Sequence, residues 1–470
     1  MTAPPAAAPT AERFLRSTLA SYRSLVVRLV VSFGAKVVLG WLLLPEVHGL
    51  YELALRIVTI AGAVRDLGLL YHLMRDERQP YGTVLLFSLG SGVVITLVLV
   101  LGAPLAAGLD PALPEVLRVF SVWVLLDGLV GAPRTYFERQ LQIGRLVGPE
   151  IARGVLVAAL AVPMAAAGFG VWSLVVADLG AAALFAALVW RRAWGRMPLD
   201  FRPGLLVDLL RRSNLLFLVW IVFQLVTYVD VFIIGAHADT GTVGQYARAY
   251  MLAFLVSPIV YPRALLPALV EYRDDAGRFA TTYRLATVFL MCCQVLSGYF
   301  LFANAEKVVS IFGPQWSAAA PLLRILCLVP AVDAFSELGG EVLKVRHEDR
   351  LWLFILLLNL ASLVGFGVFL TRRFGAPGMA AANFLLLGNA LMAWRMARVF
   401  GRDFARVLRD LAFIYLVPLP AYAAAVLAFP PASWSRLVAS LAAAAAGAAV
   451  LGWRFWAPLR AFLRGEPTSP

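Results

Sequence analysis

Charged side chains stand where the hydrocarbon of a membrane should be. Arg28, Lys36, Arg56, Arg65, Arg248 and Arg263 interrupt stretches otherwise built of Leu, Val, Ala and Phe, and so do Asp127, Asp178, Asp230, Asp333 and Glu337. A charge at the bilayer centre costs roughly 2.5 to 3.5 kcal/mol on the mildest insertion scale, so six cations facing lipid would cost on the order of 15 kcal/mol. They must face something polar. Counted along their helices, Arg28, Arg65 and Arg263 fall toward the cytoplasmic half and Lys36, Arg56 and Arg248 toward the outer half. Such a ladder suits an anionic group that has to cross. The carboxylates suit exchange of a proton, or sodium held together with backbone carbonyls. Both sets also have a plainer reading as ion pairs between helices, Arg65 with the adjacent Asp66 foremost. Lys36 and Arg56 are expected to face a wet cavity rather than an acid one turn away on their own helix.

The elements that must carry these groups follow from composition. The chain has 470 residues, 61% apolar and 15% charged, and apolar runs of about twenty residues repeat from end to end. That excludes a soluble domain and predicts an all-α polytopic membrane protein with about 14 transmembrane helices. A formal charge of +13 would point to nucleic acid in a soluble chain, but here topology accounts for it. Well over half of the 41 Lys and Arg residues fall in alternate loops and the tails, against Lys307, Arg372 and Arg373 on the opposite side. By the positive-inside rule this predicts both termini in the cytoplasm, and the Ala-rich and Arg-rich composition suggests a bacterium, hence its cytoplasmic membrane. The N-terminus lacks the order of a cleavable signal peptide and is expected to stay.

Two blocks of six spans flank a basic interlude, and registers recur between them. Gly40, Gly49 and Tyr51 return 195 residues on as Gly235, Gly244 and Tyr246; Leu117, Arg118 and Asp127 return 206 on as Leu323, Arg324 and Asp333. Phe169, Gly170 and Asp178 are echoed 205 on by Phe374, Gly375 and Asn383. The reading is therefore two pseudo-symmetric six-helix lobes, 1–190 and 215–400, joined by a linker, 191–214. Within the linker Leu205, Leu206, Val207, Leu209 and Leu210 read as a short helix lying in the membrane surface. Residues 401–470 read as an interfacial segment and an appended, lipid-facing helix pair with almost no polarity inside the membrane. Pro258, Pro262 and Pro267 predict a kinked eighth span.

Catalytic chemistry finds little support. Cys292, Cys293 and Cys327 sit in apolar helices without His at ligand spacing, and His48, His72, His237 and His347 are isolated, so no metal, cofactor or nucleophile with a base is expected. A membrane polymerase or glycosyltransferase would place acids, His and Arg in a large external loop, and none is present. The protein is read as not being an enzyme.

The stretch FGPQWSAAAPLLRILCL, with Gly313, Trp316, Pro321 and Leu322, resembles the polysaccharide and oligosaccharide-lipid exporter family of the multidrug/oligosaccharidyl-lipid/polysaccharide superfamily. Asp230 and Gly235, Gly244 and Tyr246, and Arg263 and Pro267 are similar to its second-lobe pattern. Pro45, Glu46, Gly49, Tyr51, Asp66 and Gly68 are similar to its second helix. Arg56 and Arg248 depart from the pattern, which has apolar or small residues there. The resemblance implies a flippase for a polyprenyl-diphosphate-linked oligosaccharide used in O-antigen, exopolysaccharide or capsule assembly; a proton or sodium ion is the candidate coupling ion, and a polysaccharide polymerase a candidate partner. Related alternatives are a lipid II flippase and an ion-coupled drug antiporter.

Overall fold

The computed structural model describes residues 30–75, 78, 80–140, 142–262 and 265–463, and among these every regular element is helical. The chain falls into two compact units, residues 1–224 and 225–470. The first holds α1 (Val30–Leu42), α2 (Pro45–Arg65), α3 (Tyr81–Gly102), α4 (Leu113–Arg139), α5 (Gly144–Ala166) and α6 (Val171–Ala193). A long α7 (Pro203–Gly235) leads into the second unit. There follow α8 (Thr240–Val260, resuming at Leu265–Glu271), α9 (Ala276–Ala303), α10 (Ala319–Val345), α11 (Asp349–Phe374) and α12 (Ala376–Phe400). The chain ends in α13 (Arg402–Ala428) and α14 (Trp434–Leu463). Twelve of these helices are long and apolar enough to cross a membrane, and the interrupted α8 makes thirteen. The described part of α1 is apolar but shorter than a full span. The fold class read from composition therefore holds, because only helices satisfy every backbone group inside hydrocarbon.

The internal repeat is written in the helix boundaries. Pro45, Tyr81, Leu113, Gly144 and Val171 open α2 to α6, and Thr240, Ala276, Ala319, Asp349 and Ala376, 195 to 206 residues later, open α8 to α12. Equivalent irregularities recur as well. Gly170 caps α6 at φ 53°, ψ −128°, and Gly375 caps α12 at φ 65°, ψ −150°, a region of backbone space open essentially to glycine alone. The helix α4 is interrupted at Ser121, whose hydroxyl donates to Arg118 O at 2.8 Å; α10 is interrupted at Cys327, whose thiol donates to Arg324 O at 3.2 Å. Side chains that bond back to their own helix bend it. Two interruptions 206 residues apart, made by the same kind of bond, are the mark of one ancestral unit used twice.

The linker departs from the sequence reading. Its first part runs extended over the start of α3: Arg202 N–H donates to the Thr83 hydroxyl at 2.9 Å, and the Tyr136 hydroxyl donates to Arg196 O at 3.0 Å. A Cβ on Gly82 would lie 2.5 Å from the Leu199 carbonyl carbon, so only glycine permits the crossing. The expected separate surface helix at Leu205–Leu210 is instead the opening of α7, which continues unbroken because no Gly or Pro follows until Gly235. Leu209 is buried with Leu69, Leu73 and Val189 in the core of the first unit. Arg211 and Arg212 are described by their backbone alone.

A second correction concerns the C-terminal pair, which is apolar enough to span the membrane but is tied to the second unit by polar contacts. The Asp410 carboxylate is buried and accepts from Arg284 Nε of α9 at 2.6 Å. Asn304 donates to the Ser440 hydroxyl at 2.6 Å, and Tyr422 donates to Leu296 O at 3.1 Å. Buried Arg436 donates to Val426 O in the last turn of α13, to Phe429 O just past it, and to Ala303 O at the end of α9. One guanidinium thus serves the orphan carbonyls of two helix C-termini, where positive charge is also favoured by the helix dipole. The sequence reading failed because those carbonyls are backbone groups that no residue pattern displays.

Gly170→Ala and Gly375→Ala should each cost about 1 to 3 kcal/mol. Thermal unfolding in detergent should show comparable drops in Tm for the two, and a neutral result at either would show that its cap is not held as described.

Candidate functional site

In the first unit, four helices bring charges to one place. Eight residues after its glycine cap, α6 presents Asp178; six residues into α2 stands Tyr51, whose hydroxyl donates to the Asp178 carboxylate. One residue further, Glu52 pairs with Arg56 at 2.8 Å across one turn, each about a fifth exposed. Lys36 of α1 and Arg153 of α5 are the basic groups whose fields act on Asp178, and Glu52 opposes them. Lys36 is exposed and Arg153 half-buried. Three cations and two carboxylates leave one surplus positive charge around the Tyr51 hydrogen bond. The rigid apolar packing of Leu39, Leu43, Ala161, Ala165, Leu174 and Ala177 locks α1, α5 and α6 behind it.

The expectation that Arg56 lacks an acid one turn away is wrong, since Glu52 stands four residues before it. That signal was present in the spacing. Arg153 likewise has Glu150 one turn before it on α5, but its approach to Asp178 joins two helices and left no mark in the spacing.

Closer to the C-terminal end of α2, Arg65 is 2% exposed and fully engaged. It donates to both oxygens of Asp66, at 3.1 and 2.5 Å, to Asp127 at 3.0 Å and to Val124 O at 2.9 Å. Ser88 donates to Asp66, and Ser91 donates to Arg65 O. The helix ends here because Leu67 and Gly68 both take positive φ, 45° and 76°, so Asp66 can turn beside its neighbour. Arg65 and Asp127 thus form a junction of α2, α3 and α4, the structural pairing that the sequence left open.

The second unit repeats the tyrosine contact without the cations. Tyr246, the counterpart of Tyr51, donates to Asp230 at 2.7 Å and accepts from Asn383, the counterpart of Asp178, at 3.2 Å. Asp230 also accepts from Val231 N–H at 2.8 Å, and all three side chains are buried. The positions matching Lys36, Glu52, Arg56 and Arg153 are Val231, Ala247, Met251 and Leu358. On α10, Asp333 and Glu337 are half-buried one turn apart, and Asp230 also acts on Asp333. Glu341, one turn on, accepts from Tyr261 at 3.1 Å and from Lys344 at 2.9 Å. Arg248 departs from the expected open cavity: it is buried over the rings of Trp316 and Phe312, 4.1 and 4.6 Å from their centroids. The sequence pattern around Trp316 therefore supplies the aromatic faces that shelter a cation. Arg28 and Arg263 lie outside the described residues. Among the described residues no group of His, Cys, Asp and Glu is arranged to hold a metal ion.

Residues 38–321 match a family model described as polysaccharide biosynthesis protein. The chain belongs to this family. It is similar to the teichuronic acid biosynthesis protein TuaB of Bacillus subtilis, 25% identical over 345 residues that make up 68% of each chain. Among solved structures it resembles the lipid II flippase MurJ in an inward closed conformation, with a TM-score of 0.76, 11% identity and coverage of 94% of this chain and 99% of that one. An inward-facing multidrug resistance transporter of the MATE family matches at a TM-score of 0.60, 15% identity and coverage of 83% and 98%. A transporter of the same superfamily from Pyrococcus furiosus matches at 0.60, 14% identity and coverage of 86% and 96%. At these identities the structures establish the fold, that of flippase-like transporters, and family membership establishes a multi-pass membrane protein of polysaccharide biosynthesis.

Arg65→Met should cost about 3 to 5 kcal/mol, because Asp66 and Asp127 would be left without their cation. Lys36→Gln, on an exposed side chain, should stay within about 0.5 kcal/mol. Recovery of monodisperse protein and Tm should separate the two; equal losses would remove the distinction between junction and cluster.

Proposed function

We propose that the protein moves a polyprenyl-diphosphate-linked oligosaccharide across the bacterial cytoplasmic membrane by alternating access, with both termini cytoplasmic, delivering glycan for cell-surface polysaccharide assembly. The observation that carries this reading is the surplus of positive charge in the first unit, placed where the second unit has apolar residues. A repeated fold needs no such difference for stability. A diphosphate entering the cluster would take Lys36, Arg56 and Arg153 as charge-assisted donors, with Glu52 and Asp178 holding these cations in place between cycles. At about 4 Å and an effective dielectric constant near 20, each such pair contributes roughly 4 kcal/mol of Coulomb energy before desolvation. The protein would act as a transporter and not as an enzyme.

The acids divide by their partners. Asp127 is committed to Arg65, and Asp178 and Asp230 each accept from a tyrosine, whereas Asp333 and Glu337 lie one turn apart on α10, with Asp230 acting on Asp333. The latter are the candidates for coupling to a proton or sodium ion. Arg28 and Arg263, which lie outside the described residues, remain candidates from the sequence alone for binding the substrate, and a polysaccharide polymerase would receive the product. Lipid II is the second substrate to consider, since the MurJ fold spans 94% of the chain. Export of cationic drugs is disfavoured by the positive cluster.

The test is translocation of a fluorescent prenyl-diphosphate oligosaccharide in liposomes holding purified protein, with and without proton or sodium gradients. Lys36→Ala and Arg56→Ala should each slow transport roughly tenfold to a hundredfold, the loss of one hydrogen bond to a charged group, and Lys36→Arg should restore most of it. Undiminished transport in the alanine variants would remove the cluster from the path. Transport of lipid II alone would assign the substrate to that class.

A further inference from the structure

On the second unit, Gly365, Val368, Phe369, Arg372 and Arg373 line a groove of about 500 Å³. Their spacing, with steps of three and four, puts them on one face of α11. The face changes character along its length. Phe369 is 60% exposed, and a Cβ on Gly365 would meet nothing within 4 Å, so the lower groove is an open, apolar notch. At the upper end stand two exposed guanidiniums in the last turn of the helix. Arg372 is oriented: its Nε donates to His237 Nε2 at 3.2 Å, while His237 Nδ1 lies 2.8 Å from Ile233 O, which fixes the ring as an acceptor toward Arg372. Only one of its donating nitrogens is used in that contact, so the fork points a planar pair of N–H groups elsewhere. Arg373 lies over the Phe374 ring, 5.7 Å from its centroid.

These two arginines also sit against the charge distribution. On the membrane face reached by the C-termini of α7, α9 and α11, Lys307 lies over the Trp434 ring, Arg324 pairs with Glu306 and Arg436 is taken up by backbone carbonyls, whereas this pair stands exposed. Positive charge there has to be retained for a reason local to the site.

We propose that the groove holds one anionic phospholipid of the surrounding bilayer. Its phosphate accepts from Arg372 and Arg373, and an acyl chain lies along Phe369 and Val368 into the notch at Gly365. The volume fits a headgroup and the first part of a chain, well below what an oligosaccharide requires. The site needs no transported substrate and stands apart from the flippase reading.

Native mass spectrometry of the full-length protein, delipidated and titrated with phosphatidylglycerol or phosphatidylcholine, tests the assignment. One phosphatidylglycerol should bind at least tenfold more tightly than phosphatidylcholine. Arg372→Gln/Arg373→Gln should abolish that preference. Gly365→Leu fills the notch without an internal clash, so it should weaken phosphatidylglycerol about tenfold while leaving Tm unchanged. Equal binding of the two lipids, or wild-type preference in both variants, would overturn the proposal. So would displacement by inorganic phosphate at equal concentration, which would show an anion site without a lipid groove, or tighter binding of undecaprenyl phosphate, which would assign the groove to the carrier lipid.

Discussion

An ionised side chain inside hydrocarbon has to be met by an opposite charge, a hydrogen-bond partner or water, and most of the polar architecture of this protein answers that demand. Arg65 is met by two carboxylates and a carbonyl from the end of α2 and from α4, Arg248 by two aromatic faces, and Arg436 by carbonyls at two helix ends. Each solution ties together segments far apart in the chain, so the cost of the charge becomes the specificity of the packing. The helices themselves, lacking a hydrophobic drive to associate within lipid, depend on such polar contacts and on small residues for register.

Against that background the cluster of Lys36, Arg56, Arg153, Glu52 and Asp178 is different in kind. Arg65 is spent on structure, with Nε, Nη1 and Nη2 all engaged by groups of its own unit, whereas Lys36 is exposed and Arg56 keeps a fifth of its surface open. The repeat sharpens the contrast. Tyr51 with Asp178 and Tyr246 with Asn383 are the same contact inherited twice, one charged and one neutral. Divergence of the surrounding residues, cationic in one unit and apolar in the other, is where a shared scaffold acquires a task.

Much of the scaffold was legible in the sequence because its signals are local. Apolar runs of membrane length give the helices, and glycines at repeat-related positions such as Gly170 and Gly375 mark their caps. The three proline positions of α8 correctly announced an interrupted span. Partnerships were legible only when sequence-adjacent, as for Arg65 with Asp66. Tyr51 and Asp178 are 127 residues apart, and Arg372 and His237 are 135 apart, so spacing could not join them. The polar keys of α13 and α14 were missed because Arg436 bonds to backbone carbonyls, and the linker helix was misplaced because arginines do not end a helix. Glu52 beside Arg56 was legible and overlooked.

The most direct test of the cationic cluster as the anion site is photo-crosslinking with a prenyl diphosphate bearing a photoreactive group next to the phosphates, followed by peptide mapping. Adducts on α1, α2 and α5 near Lys36, Arg56 and Arg153, suppressed by unlabelled prenyl diphosphate, are the predicted result. Labelling confined to the second unit, or labelling of the first that excess competitor leaves unchanged, would contradict it.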